Sequence, residues 1–204
     1  MGTLKLMKKS LVHPLDFFYD YQFMERSKLK YAIIIVCLAF CTKVINLMFA
    51  GYSFSYMETY QVSIPFEAVW IFLPWLTWAV SNWAVSTIVE GEGKFIDILT
   101  SSAFFYVPYI VIMLPFTFVS NFMSLKELSL ALFIMYFMQF WMIFILVVQV
   151  KVLHDFEFGK TIWISLLTAV GMILIWFVCI MIFGLVNQSI QFVLDIYKEL
   201  SYRS

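Results

Sequence analysis

Apolar residues in this chain come in long runs, and short polar interruptions divide them into five blocks: Tyr31 to Phe49, Phe66 to Val89, Asp97 to Val119, Ser129 to Val152 and Thr161 to Gln188. An α-helix needs about 20 apolar residues to cross roughly 30 Å of hydrocarbon, and each block is close to that length or longer. Hydrocarbon offers no partner for exposed backbone N–H and C=O groups, so spanning segments of this kind are helical. The pattern predicts an all-α polytopic bundle of five transmembrane helices, organised as one domain over residues 1–204. Two flanking segments add to it. Leu15, Phe18, Tyr21 and Met24 recur at helical spacing within a basic and aromatic stretch, which predicts an interfacial amphipathic helix before the first span. After the last span, Ile190, Val193, Leu194, Tyr197 and Leu200 are interleaved with Gln191, Asp195 and Lys198, as in an amphipathic helical tail leaving the membrane.

Composition sharpens this reading. Hydrophobic residues make up 63% of the chain, aromatic residues 20% and charged residues only 13%, the balance of an integral membrane protein and not of a soluble domain. A formal net charge of zero argues against a nucleic-acid surface. The three cysteines, Cys37, Cys41 and Cys179, all fall inside apolar runs, where packing is expected in place of a disulfide or metal site.

Charge also predicts orientation. With the N-terminus in the cytoplasm, the inner set is Lys5, Lys8, Lys9, Arg26, Lys28, Lys30, Lys94, Lys151 and Lys160, nine residues, against Lys126, Lys198 and Arg203 outside. That excess follows the positive-inside rule and puts the C-terminus outside.

The sharpest interruption is Glu90-Gly91-Glu92-Gly93-Lys94-Phe95-Ile96-Asp97-Ile98. Two glycines within three residues break the preceding helix, and the acids beside Lys94 cannot sit in hydrocarbon, so the chain surfaces and turns back here. Gly91 and Gly93 are expected to supply positive φ or a close backbone approach, and Asp97 falls in the first turn of the next helix, where the helix dipole favours an acid.

This hinge, followed by Ala103, Tyr106, Val107 and Pro108, resembles the signature of the Yip-domain family, five-span proteins that interact with Ypt/Rab GTPases. His13-Pro14-Leu15-Asp16-Phe17-Phe18-Tyr19 before the first span and His154-Asp155-Phe156-Glu157-Phe158-Gly159-Lys160-Thr161 before the last resemble the matching elements of its bacterial branch. The resemblance implies a cytoplasmic N-terminus, a bacterial cell membrane and no chemistry of its own; in eukaryotic members the association is with Rab GTPases and vesicle traffic. The expected function is a non-enzymatic membrane scaffold or partner-binding protein, with a small transporter or permease-like subunit as the alternative. Its partners would be the lipid bilayer and another membrane or cytoplasmic protein, with no nucleic acid, and an oligomer is compatible with the pattern. The candidate cytoplasmic surface is Gly91, Glu92, Gly93, Lys94, Asp97, His154 and Asp155.

No catalytic, cofactor or metal site is expected. His13 and His154 are the only histidines and form no His-Glu-x-x-His pair, and Gly159-Lys160-Thr161 lacks the earlier glycine of a phosphate-binding loop. The polar groups inside the spans carry more information, because burying them costs free energy. Lys43 and Glu67 lie near the outer ends of the first and second spans, where they are expected to snorkel and to be solvated, or else to pair. Asn82, Gln139 and Gln149 are expected to hydrogen-bond between helices, and a stripe of Thr77, Ser81, Ala84 and Ile88 is expected to admit a close neighbour. Pro74, Pro108 and Pro115 interrupt the second and third spans and can kink them.

Overall fold

A computed structural model describes residues 3–23, 28–51 and 63–203, and among these residues the secondary structure is entirely helical. The helices are α1 (Thr3–Val12), α2 (Pro14–Gln22), α3 (Lys28–Phe49), α4 (Ile64–Ile88), α5 (Phe95–Ser102), α6 (Val107–Val119), α7 (Leu128–His154) and α8 (Phe158–Arg203). Among the described residues five stretches are long and apolar enough to cross a membrane: α3, α4, the α5–α6 unit, α7 and α8.

The third span is broken where the sequence weakens it. Thr100, Ser101 and Ser102 turn their hydroxyls back onto the carbonyls of Ile96, Ile98 and Leu99 at 2.8, 3.2 and 3.0 Å. Such bonds compete with the helical ladder. Pro108, which has no N–H to donate, follows within a turn. Between them the chain tightens into a 3₁₀ turn over Ala103–Tyr106. Tyr106 crosses from this region to give its hydroxyl proton to the carbonyl of Ile71 in α4 at 2.5 Å.

The N-terminal segment is helical, as its spacing predicts, but it forms two helices whose apolar face turns into the bundle. Phe17, Phe18 and Tyr21 are essentially inaccessible and join the main core with Ile35, Val36, Ile98, Phe104 and Ile145. The Phe17 and Tyr21 rings lie 4.6 and 5.2 Å from that of Phe104. Burial pushes the Tyr21 phenol up to about 12, and its hydrogen bond to Thr100, which works the other way, ties α2 to α5. Leu15, expected on the apolar face, points outward, and Met24 lies outside the described residues. An ion pair between Lys9 and Asp20 closes the two arms. Their turn, Val12 to Asp16, faces Trp141 and Phe144 across a recess of ≈ 350 Å³. Trp141 is 13 residues from His154 at the end of α7 (154 − 141), so the turn reaches about 20 Å along that helix.

The cysteines do not pack as expected: Cys37, Cys41 and Cys179 are free thiols on the outer surface of the bundle. An apolar residue in a membrane span is satisfied equally by lipid, so an apolar surrounding in sequence does not imply a protein neighbour. The last helix is also longer than the last apolar block. It continues unbroken for 46 residues, about 69 Å at 1.5 Å per residue.

Candidate functional site

At one end of the bundle α4 and α7 stop in the same way. After α4, the N–H groups of Val89 and Gly91 both bond the carbonyl of Ser86, at 3.1 and 2.8 Å, and Glu90 takes the left-handed conformation with φ 60°. After α7, the N–H groups of Asp155 and Phe156 bond the carbonyl of Lys151, and Asp155 takes φ 49°. These are the helix-terminating turns in which glycine usually holds the left-handed position. Here two acids hold it, and neither Gly91 nor Gly93 has positive φ. The left-handed half of the expectation for the hinge glycines is therefore corrected, and the close-approach half holds.

The approach is made by His154. A Cβ on Gly91 would lie 2.7 Å from Nδ1 of His154 and 3.0 Å from Cζ of Phe156, and one on Gly93 would lie 2.5 Å from Cε1 of His154. The imidazole is thus set against the hinge backbone, with the Phe156 ring stacked beside it at 5.2 Å and an interplanar angle of 15°. The N–H of Gly93 donates to Nδ1 at 3.1 Å. A backbone N–H can only donate, so Nδ1 carries no proton and the ring is the neutral tautomer protonated at Nε2. That Nε2–H in turn donates to Oδ1 of Asn82 at 3.1 Å.

Asn82 passes the connection onward. Its amide donates to Oγ1 of Thr168 at 3.3 Å, and Ser81 donates its hydroxyl proton to the Thr168 carbonyl at 2.7 Å. One buried chain of hydrogen bonds therefore runs from the hinge through α7 and α4 to α8, and Asn82, His154 and Thr168 are 0%, 2% and 0% exposed. Lys160 covers this end from outside, 4.4 Å above the Phe156 ring, and donates to the carbonyl of Val89 at 3.3 Å.

Several expectations change here. His154, expected on the exposed partner surface, is the buried last residue of α7 and positions the hinge from beneath. Asn82 joins the same network, although sequence spacing gives no hint that positions 72 residues apart meet. Around the network, Glu90, Glu92, Lys94 and Asp155 are exposed, and Asp97, three residues after the N-cap Lys94, is partly covered. Among the described residues no group of three or more His, Cys, Asp or Glu side chains is placed to hold a metal ion.

The other intramembrane polar residues divide. Gln149 is glue between helices, as expected: it accepts from the Trp78 indole at 3.4 Å and donates to the Ile98 carbonyl and the Ser101 hydroxyl at 3.3 and 3.0 Å. Gln139 is not, since it lies on the exposed face of α7 away from any partner helix. The expected small-residue stripe is half right. Thr77 and Ser81 face α8, while Ala84 and Ile88 face outward. Sequence reasoning missed the other side of this contact, Gly171 on α8, where a Cβ would collide with the Ser81 hydroxyl. Ser165, Thr168 and Gly171, three small residues at steps of three in a bulky helix, were the available signal.

At the opposite end of the bundle Lys43 and Glu67 approach to 3.6 Å, with side chains 33% and 8% exposed. The solvated reading of Glu67 is thereby replaced by a largely buried ion pair between α3 and α4. Asn46 donates to Thr117 at 2.8 Å nearby, and the N–H of Gly51 donates to the Ser120 hydroxyl at 2.9 Å, so α3 and α6 are tied at this end.

Set beside known proteins, the chain is matched over residues 8–186, nearly its whole length, by a family model described as the Yip1 domain. No curated protein and no solved structure matches.

Proposed function

The chain belongs to the Yip1 domain family, and from that premise we propose that this integral multi-pass membrane protein is a non-enzymatic scaffold that docks a protein partner on the hinge end of its bundle. The observation that carries the proposal is the bond from Gly93 to His154, continued to Asn82 and Thr168. A connector that only had to be flexible would not need its backbone held against a buried side chain on a different helix. Held in this way, Glu90, Glu92, Lys94 and Asp155 form a fixed pattern of exposed charge, which suits recognition of a partner because little ordering entropy is lost on binding. Asn82 and Gln149 place their amides on neighbouring helices, which supports a packed bundle over a substrate path.

The orientation proposed is cytoplasmic for the hinge end and the N-terminus, on the nine-to-three distribution of Lys and Arg. A photo-crosslinking residue placed at Glu157, exposed between α7 and α8 at the same end of the bundle, tests the reading in native membranes. A discrete protein adduct is expected there, absent when the same residue is placed at Lys126 and lost on the charge swap of Glu92→Lys with Lys94→Glu. Adducts of equal yield at both ends, or adducts indifferent to the swap, would sink it.

A further inference from the structure

Helix α8 outlasts everything it packs on. It runs antiparallel to α4, with Ser81 bonded to Thr168. Counting 17 residues back along α4 from Ser81 to Ile64, and 17 forward along α8 from Thr168, brings the start of α4 opposite Leu185. The 18 residues from Val186 to Arg203, about 27 Å of helix, therefore extend past the beginning of α4. The match to the Yip1 domain also ends at residue 186. Polar residues enter the helix at this point, with Asn187, Gln188, Ser189 and Gln191, so the extension has left the hydrocarbon.

The extension nevertheless carries an apolar line, with Phe192, 66% exposed, standing off it. Steps of three and four from Trp176, which donates to Thr77 of α4 at 3.0 Å, lead through Cys179 to Phe183, Val186, Ile190, Val193 and Tyr197. The last five are 73%, 50%, 52%, 63% and 71% exposed, so a seam that packs on α4 within the bundle continues outward with nothing from the described residues upon it. The 3-4 spacing is that of the a and d positions of a coiled coil. Taking Ile190 and Tyr197 as a positions and Val186 and Val193 as d positions, the flanking e and g positions are Asn187, Ser189, Leu194 and Ile196, all uncharged. The charges of this segment, Asp195, Lys198 and Glu199, fall on the far side of the helix, and Asp195 and Lys198 pair there with each other at 3.8 Å.

We infer that residues 183–199 of α8 pair in parallel with the same residues of a second copy of this chain. Copies of one membrane protein insert in one orientation, so their α8 helices emerge side by side and in the same direction. A seam with no charge at a, d, e or g sets no like charges against each other when it meets itself, which is the requirement of a two-fold, self-complementary contact. A partner of opposite charge would find nothing on this seam to recognise.

The test uses the full chain in native membranes, with the surface residues Cys37, Cys41 and Cys179 changed to Ala. Single cysteines are placed on the seam at Ile190, Val193 or Tyr197, and off it at Gln188, Gln191 or Asp195, and mild oxidation is read as dimer on a non-reducing gel. Dimer at least five-fold more abundant at the seam positions is expected, and differently tagged copies should co-purify. Equal crosslinking at both sets, or stronger crosslinking off the seam, overturns the inference. A second variant, Ile190→Asp with Val193→Asp, lies away from the bundle and should become monomeric by light scattering in detergent at an unchanged melting temperature. A dimer that survives this change overturns the inference as well.

Discussion

Adding a single methyl group at Gly93 asks whether the hinge is held or merely present. In Gly93→Ala the new Cβ would lie 2.5 Å from Cε1 and 2.9 Å from Nδ1 of His154, well inside contact distance. Backbone conformation is no obstacle, because Gly93 has no positive φ. In open space the change would even stabilise the fold by about 0.4–1 kcal/mol, through a less flexible unfolded chain. Here the imidazole must shift, and both of its 3.1 Å bonds are at risk. Asn82 and His154 would then be buried without full partners, each at a cost of about 1–3 kcal/mol. The expected net loss is roughly 2–5 kcal/mol, read as a lower midpoint in denaturant titration in mild detergent. His154→Ala removes the obstacle, so Gly93→Ala in that background should cost little, and the double-mutant cycle should return a coupling above about 1 kcal/mol. Losses that simply add, or a Gly93→Ala variant as stable as the parent, would refute the reasoning.

Other outcomes follow from the same structure. Lys43→Met should destabilise by about 1–3 kcal/mol, between the values for exposed and buried ion pairs, and adding Glu67→Gln should restore much of the loss in detergent melting. Gly171→Leu should push α8 off Ser81 and cost about 1–3 kcal/mol by overpacking, whereas Gly184→Leu, where no atom lies within 4 Å, should leave the melting temperature unchanged. Gln149→Leu should cost about 1–3 kcal/mol because it strands the Trp78 and Ser101 partners, and Gln139→Leu on the exposed face of α7 should stay within about 0.5 kcal/mol of the parent.

What the sequence determined by itself was everything that depends on the solvent. Long apolar runs have one resting place, and a backbone there has one conformation, so five spanning helices, their order and the position of the hinge were legible from hydropathy alone. The amphipathic character of residues 186–199 was legible in the same way, because water outside the membrane restores the penalty on exposed apolar surface. Inside the membrane that penalty vanishes, and with it the power of an apolar residue to report which way it faces. For that reason the orientation of Cys37 and Ala84 was decided only by the tertiary structure. The same holds for contacts between distant parts of the chain. His154 and Asn82 are unremarkable singly, and only the packing of α4 beside α7, with α8 antiparallel to both, makes them one network beneath the hinge. Nor does a Gly-x-Gly pattern reveal whether its glycines serve for left-handed backbone or for space. At this hinge the left-handed positions went to Glu90 and Asp155, and the glycines leave room for the ring of His154.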